Sequence, residues 1–490
     1  MKNIKYIWLL AVLLGFTACE SDDDSSSANE PLPALTAGSA DFSNYVAVGA
    51  SFTAGFTDNA LFIASQENSF PNILSQKFAN IGGGAFTQPL MNDNVGGLLF
   101  GGNLIQAPRL YFDGSGPAVL PATPTTEVTN VLVGPFNNMG VPGAKSFHFV
   151  ANGYGNPAGV PVGAANPYFA RMATSASTSV LADAAMQNPS FFTLSEIGGN
   201  DVLGYALSGG IGVDQTGNLD PTTYGSNDIT DPNVFANVVN GIATALTSNG
   251  AKGAIANVPY ITDLSHFTTV PYNPVPLDAA TAGALNQGYA AYNGGLLQAE
   301  SFSLITASER EARTITFSQS SNNALVIEDE NLTDLSGLGL PNYRQATADD
   351  LFVLPLSSLI PQGYGTQIPL EDKWAITPEE QLTIKTAVDS YNQTIANVAS
   401  TYNLALVDLN SVLSNASLNG VPAGSYTLTT DLVTGGLISL DGVHLTAKGY
   451  AVMANEFLAA IDATYGSNFI EAGFKADVDN YGIAYSPLLQ

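Results

Sequence analysis

Tyr45-Val46-Ala47-Val48-Gly49-Ala50-Ser51-Phe52-Thr53-Ala54-Gly55 joins a run of strand-forming residues to a cluster of small ones. Tyr45 to Gly49 reads as the first strand, so Ser51 falls at a strand's carboxyl end, where open α/β sheets place their sites. Gly49 and Gly55 on either side of it permit a tight turn that presents a serine hydroxyl at the start of a helix. Alone this pattern is weak, because small residues often follow a strand.

Outward from this stretch, short apolar runs alternate with longer helical ones, which argues for parallel strands with helical crossovers. Val128 to Val133, Phe191 to Ser195, Gly253 to Val258 and Leu404 to Leu409 are the further strand candidates. A helix is expected from Phe70 to Phe78. Apolar residues at three- and four-residue spacing mark two more, in Phe235-Val238-Val239-Ile242-Leu246 and in Leu382-Ile384-Val388-Tyr391-Ile395-Val398. The expectation is a three-layer α/β/α sandwich around a mainly parallel, doubly wound sheet of about five strands. Such a core needs far fewer than 490 residues. The surplus lies near 81–127 and 262–373, read as insertions into one domain spanning 41–465, with 466–490 a C-terminal extension. A separate cap domain is the alternative for the second of these.

The charge balance excludes several partners. Fourteen basic against 42 acidic residues give a net charge of −28, with no basic cluster to neutralise a phosphate backbone, so nucleic acid is not expected. Charged residues make up 11%, against about 25% in typical soluble domains. With 45% apolar residues, 24 Phe and 20 Tyr, the chain can still bury a sizeable core. The single cysteine, Cys19, excludes an internal disulfide framework and any zinc site of several thiolates.

Lys2 and Lys5 precede the apolar run Tyr6 to Phe16, and Thr17-Ala18-Cys19 follows, the layout of an export signal. Eleven residues are too few to cross a bilayer as a helix. Phe16-Thr17-Ala18-Cys19 resembles a lipobox with Phe in place of the usual Leu, which makes 1–18 a signal peptide and Cys19 the lipidated residue. An ordinary secretory signal with an incidental cysteine is the alternative. Without 1–18 the chain carries 12 basic residues against 42 acidic, or −30. Residues 19–40, which include Glu20-Ser21-Asp22-Asp23-Asp24, read as a flexible tether. That acidic run resembles the surface-export signal of Bacteroidetes lipoproteins, implying an outer-membrane lipoprotein exposed on the cell surface, with the periplasmic face as the alternative.

Three more segments bear on Ser51. Asn138-Met139-Gly140-Val141-Pro142-Gly143-Ala144 follows the second strand candidate, Ile197-Gly198-Gly199-Asn200-Asp201 follows the third, and Asp441-Gly442-Val443-His444-Leu445 precedes the last helix. Together and in this order, they resemble the four blocks of the SGNH/GDSL hydrolases, a family of esterases and lipases. The resemblance covers roughly 41–465 and implies the SGNH hydrolase fold. It also implies that Ser51 is the nucleophile, His444 the general base and Asp441 the carboxylate that orients it, with Ser51, Gly143 and Asn200 forming the oxyanion hole. These roles suit acyl transfer. A serine hydroxyl is a poor nucleophile until an imidazole takes its proton, and the imidazole needs a partner to hold its tautomer. Thr446 is available to cap the final helix.

One block departs from the family. Its first block usually reads Gly-Asp-Ser-Leu, whereas Ala50 and Phe52 stand here for Asp and Leu, and Ala50 leaves the hydrogen bonding beside the nucleophile in doubt. The expected activity is cleavage of small, lipid or glycan esters by a monomer anchored to the membrane through its lipid, with no cofactor and no metal. Carbohydrate O-deacetylation and non-catalytic glycan or lipid binding are the alternatives. His148 and His266 read as surface or hydrogen-bonded histidines. Asp349-Asp350 and Glu379-Glu380 read as first-turn helix charges. The tract Asp214 to Asp231, with Asn218, Asp220 and Asp228, fails the spacing of a calcium loop.

Overall fold

Tyr45–Gly49 (β1) is buried along its whole length, as a strand must be when both sheet faces are covered by helices. The computed structural model describes residues 31–490, so Cys19, the signal-like segment and the acidic tract lie outside the described residues. Residues 35–490 form one compact unit.

β1 pairs in parallel with Asn138–Gly140 (β2) on one side and Phe191–Ser195 (β3) on the other. Lys252–Ala256 (β4) and Ala405–Val407 (β5) extend the sheet in parallel beyond β3. The strand order is therefore 2-1-3-4-5. Chain direction across the sheet reverses between β1 and β3, and such a switch point opens a crevice at the strands' carboxyl ends. Ser51 and Asn200 follow the two strands that flank it.

The second strand corrects the reading of the sequence. Val128 to Val133 is not in the sheet; Val131 and Val133 are exposed, Val133 to 94%. The strand in that place begins at Asn138, a buried residue of poor strand propensity. Its amide makes the position tolerable by donating to Thr53 O at 2.9 Å and accepting from Gly140 N–H at 3.0 Å. Third and first strands fall where expected; the fourth starts one residue earlier than expected and stops at Ala256, and the fifth is trimmed at both ends.

Short Ser51–Ala54 (α1) follows β1, and Phe70–Phe78 (α2) lies where its apolar spacing put it. Asn200–Leu207 (α3), Pro232–Thr247 (α4) and Ala279–Ser301 (α5) come next. Pro378–Tyr402 (α6), Leu409–Leu418 (α7) and Ala447–Tyr465 (α8) complete the main helices. α2 and α8 meet through stacked Phe70 and Phe457, and α4 and α6 through stacked Phe235 and Tyr391. The apolar stripes of α4 and α6 are buried as their period demands, except for Leu382, which is 63% exposed. α6 starts with a capping box between Thr377 and Glu380, so Glu379-Glu380 is a first-turn pair as read. Asp349-Asp350 is not. It lies in a turn, where Asp350 grips Arg344 with both oxygens at 2.7 Å.

Between α2 and β2 the chain forms two small hairpins, Leu98–Gln106 and Leu110–Val119. Between β4 and α6, α5 and several short antiparallel pairs gather their own apolar clusters, around Leu296 and Phe317 and around Leu325 and Phe352.

Candidate active site

Ser51 sits in a turn that only small residues allow. A Cβ on Gly49 would lie 2.1 Å from Thr53 Oγ1 and 2.3 Å from Ser195 O, and one on Gly140 would lie 2.3 Å from Ala54 N. Both glycines thus let α1 fold back tightly onto β1 and β2. Ser51 is 4% exposed and is the first residue of α1, so its N–H has no acceptor one turn back.

His444 and Asp441 are joined as the spacing suggested. Asp441 Oδ2 meets His444 Nδ1 at 2.9 Å, and its Oδ1 accepts the N–H groups of Val443 and His444, both at 2.8 Å. Asn59 N–H donates to Oδ2 at 2.7 Å, which ties this loop to the segment that follows α1. Thr446 caps α8 by accepting Gly449 N–H at 3.0 Å, so the loop carrying His444 is clamped at both ends. Phe52 stands edge-on to the His444 ring with centroids 6.0 Å apart, and Phe56 lies 4.6 Å from it. Serine turn and histidine loop thereby meet. Ser51 Oγ makes no hydrogen bond to a described residue, as is common before substrate binds.

The second and third blocks also converge. Gly143 is exposed, has φ +77°, and nothing lies within 4 Å of where its side chain would be. Asn200, the first residue of α3, donates through Nδ2 to Ala144 O at 3.0 Å, which fixes its amide beside the Gly143 loop and leaves a second N–H. The neighbouring Asp201 is structural, accepting Ser146 N–H at 2.8 Å and its hydroxyl at 2.7 Å.

Two carboxyl groups that the sequence reading passed over face the same histidine. Glu196, at the end of β3 with φ +61°, accepts Phe52 N–H at 2.6 Å through Oε2. Ala50 therefore does not leave the Ser51 turn without a carboxylate, because the end of β3 supplies one across the sheet. Its signal was an acidic residue directly after an uncharged strand. Asp58 accepts Leu440 N–H at 3.1 Å, while its own N–H donates to Ser439 Oγ at 3.1 Å.

Burial raises Glu196 to about 7, against the pull of His444 and the Phe52 N–H. Burial likewise raises Asp58 to about 7, with Asp441 adding to the rise. Asp441 stays well below the ordinary range, since its burial is outweighed by the His444 charge and the donors around it. For His444, burial opposes the charged ring, but Asp441, Glu196 and Asp58 overcome it and raise the pKa. An apolar cavity of about 70 Å³ lies behind Phe52 and Glu196, walled by Leu203, Val258, Leu413 and Met453, and accounts for the poor solvation of Glu196.

The remaining candidates fall outside this cluster. His148 Nδ1 accepts Lys145 N–H at 3.0 Å and its ring stacks on Tyr154; burial lowers it to about 4. His266 is hydrogen-bonded beside the site, with Nδ1 3.3 Å from Asp441 O and its N–H donating to Gly442 O at 2.9 Å. In the acidic tract, Asp228 accepts from Val213 N–H, Gly225 N–H and Gln215 Nε2, and Asp220 Oδ1 accepts the N–H and hydroxyl of Thr222. Comparison with protein-family models, with curated proteins and with solved structures finds no match to this chain.

Proposed function

We propose that this chain is a serine esterase of the SGNH/GDSL type that cleaves carboxylic esters through an acyl-enzyme on Ser51. The observation that carries the reading is the bond between His444 Nδ1 and Asp441 Oδ2 at 2.9 Å, set beside a serine turn at the switch point of a 2-1-3-4-5 sheet. With Nδ1 held by Asp441, Nε2 is left as the base.

In the proposed reaction Ser51 Oγ attacks the ester carbonyl carbon while its proton passes to His444 Nε2. The carbonyl oxygen becomes an oxyanion, met by the N–H groups of Ser51 and Gly143 and by the free N–H of Asn200. Collapse breaks the bond to the alcohol, which leaves with the proton from Nε2. Water then gives a proton to Nε2 and its oxygen to the acyl carbon, and a second collapse releases the acid and returns the proton to Ser51. No electron acceptor enters the balance.

On this reading the three-layer sandwich is an SGNH fold, and 81–127 and 262–373 are insertions into it. The chain is proposed to act as a lipid-anchored monomer at the cell surface. Ser51→Ala is expected to abolish hydrolysis of p-nitrophenyl esters, and full turnover in that variant sinks the proposal. A series from acetate to palmitate, with acetylated xylan beside it, separates a lipase from a carbohydrate O-deacetylase by which substrate shows the larger kcat/KM.

A further inference from the structure

We propose that Glu330, Asp372 and Glu380 form a calcium site, away from the proposed active site and independent of its chemistry. Each offers a carboxylate oxygen, and the three oxygens lie within 4.8 Å of one another. Calcium binds carboxylate oxygens at 2.3–2.6 Å, so two ligands of one ion stand no more than about 5 Å apart. The three groups come from separate places in the chain. Glu330 follows the short strand Val326–Glu328, Asp372 opens the turn before α6, and Glu380 lies in the first turn of α6.

A second observation points to a ligand. Glu380 is 3% exposed. Its Oε2 accepts Thr377 N–H at 2.7 Å and the Thr377 hydroxyl at 2.9 Å, which leaves Oε1 alone. Among the described residues, Oε1 of Glu380 is the one buried carboxylate oxygen without a hydrogen-bond partner. A buried, unpaired oxygen of this kind is expensive. The fold nevertheless keeps room for it: a Cβ on Gly210 would stand 1.5 Å from Oε1, so the loop after α3 must be glycine there.

The described residues supply no counter-charge. Among the described residues no lysine or arginine pairs with any of the three; the nearby Lys373 is taken by Glu371 at 2.5 Å. The three carboxyl groups therefore stand together with no cationic side chain paired to them. A divalent cation bound between the three carboxylates would remove their mutual repulsion and offer a partner to Glu380. Hard oxygen donors with no nitrogen or sulfur favour calcium over transition metals. The ion would staple the segment before α6 to α6 itself.

Isothermal titration of the EDTA-dialysed full chain with CaCl₂ tests this. A single bound ion per chain is expected, with Kd about 10⁻⁴–10⁻³ M, as in extracellular calcium modules. Glu330→Gln and Asp372→Asn should each weaken binding by about tenfold or more, since affinity follows ligand charge. Glu330 is exposed, so its variant keeps the test alive if Glu380→Gln does not fold. In EDTA, Glu330→Gln should melt no lower than the parent, because repulsion is relieved, yet gain little from added calcium. Absence of binding heat at millimolar CaCl₂ overturns the proposal. So does unchanged affinity in Glu330→Gln and Asp372→Asn, or loss of binding in Asp228→Asn, which would place the ion in the other acidic tract.

Discussion

Phe52 N–H donates to Glu196 Oε2 at 2.6 Å, so the residue after Ser51 is held by the carboxyl end of the neighbouring strand. The bond crosses the switch point and sets the angle at which α1 leaves β1. Above pH 7, where Glu196 is ionised, Glu196→Ala removes a hydrogen bond to a charged acceptor, worth about 1.5–3 kcal/mol. Ester turnover should fall by about tenfold or more, with KM changed much less than kcat. Glu196→Gln keeps an acceptor and should retain most of kcat. Equal loss in both variants would mean that Glu196 does not act through this bond.

The acid limb of kcat/KM should lie above the ordinary histidine value of about 6.5. In the proposed mechanism neutral His444 is the base, and Asp441, Glu196 and Asp58 raise its pKa despite burial. Activity is therefore lost as pH falls through a raised midpoint. Glu196→Gln and Asp58→Asn each delete a negative neighbour and should move the limb to lower pH. A midpoint below 6.5, or one that neither variant moves, contradicts this account of the electrostatics.

Glu196 also predicts a stability effect of opposite sign to its catalytic one. Its folded pKa is raised to about 7, so the folded state holds a proton that the unfolded chain gives up near 4.3. Ionising it costs stability as pH rises between those values. Glu196→Gln should thus be more stable than the parent at pH 8 and nearly equal to it at pH 4, read from guanidinium unfolding at each pH.

Asp441→Asn should lower kcat by about 10⁴ if the histidine tautomer depends on it as in serine triads generally. Asn200→Ala should cost about 2.7–4 kcal/mol of transition-state stabilisation. Steady-state kinetics on one p-nitrophenyl ester checks both. A loss under twofold in either variant removes that residue from its role.

Arg109 is fully buried and binds backbone oxygens of Asn94, Ser486 and Leu489 at 2.6–3.0 Å, with Phe62 beneath its guanidinium. It thus pins the last residues of the chain against the loop between α2 and β2. Arg109→Leu should destabilise by about 3 kcal/mol or more and expose the tail after Tyr485 to carboxypeptidase. Unchanged trimming in the variant would show that the tail is held by other contacts.

The parts of this architecture legible in the sequence are those with a local cause. β1 and β3 are uninterrupted runs of strand formers, α4 and α6 carry a helical stripe, and Asp441 reaches His444 over three residues, so each could be placed from neighbouring letters. β2 could not, since Asn138-Met139-Gly140 is a strand only because β1 lies beside it and Thr53 O takes the asparagine amide. The apolar letters from Val128 to Val133 drew attention away from it. Glu196 and Asp58 were missed for the same reason. Their partners, Phe52 and Leu440, are distant in sequence, and a carboxyl group's neighbourhood is set by the fold. Asp350 reads as a helix charge until Arg344 is seen against it.

The central claim is that Ser51 is an activated nucleophile, and covalent labelling by a fluorophosphonate reads that property without knowledge of the natural ester. Intact-mass and peptide mass spectrometry should find a single phosphonyl adduct on Ser51 in the parent, slowed strongly in His444→Ala and absent in Ser51→Ala. An unlabelled parent chain, or an adduct that persists in Ser51→Ala, would contradict it.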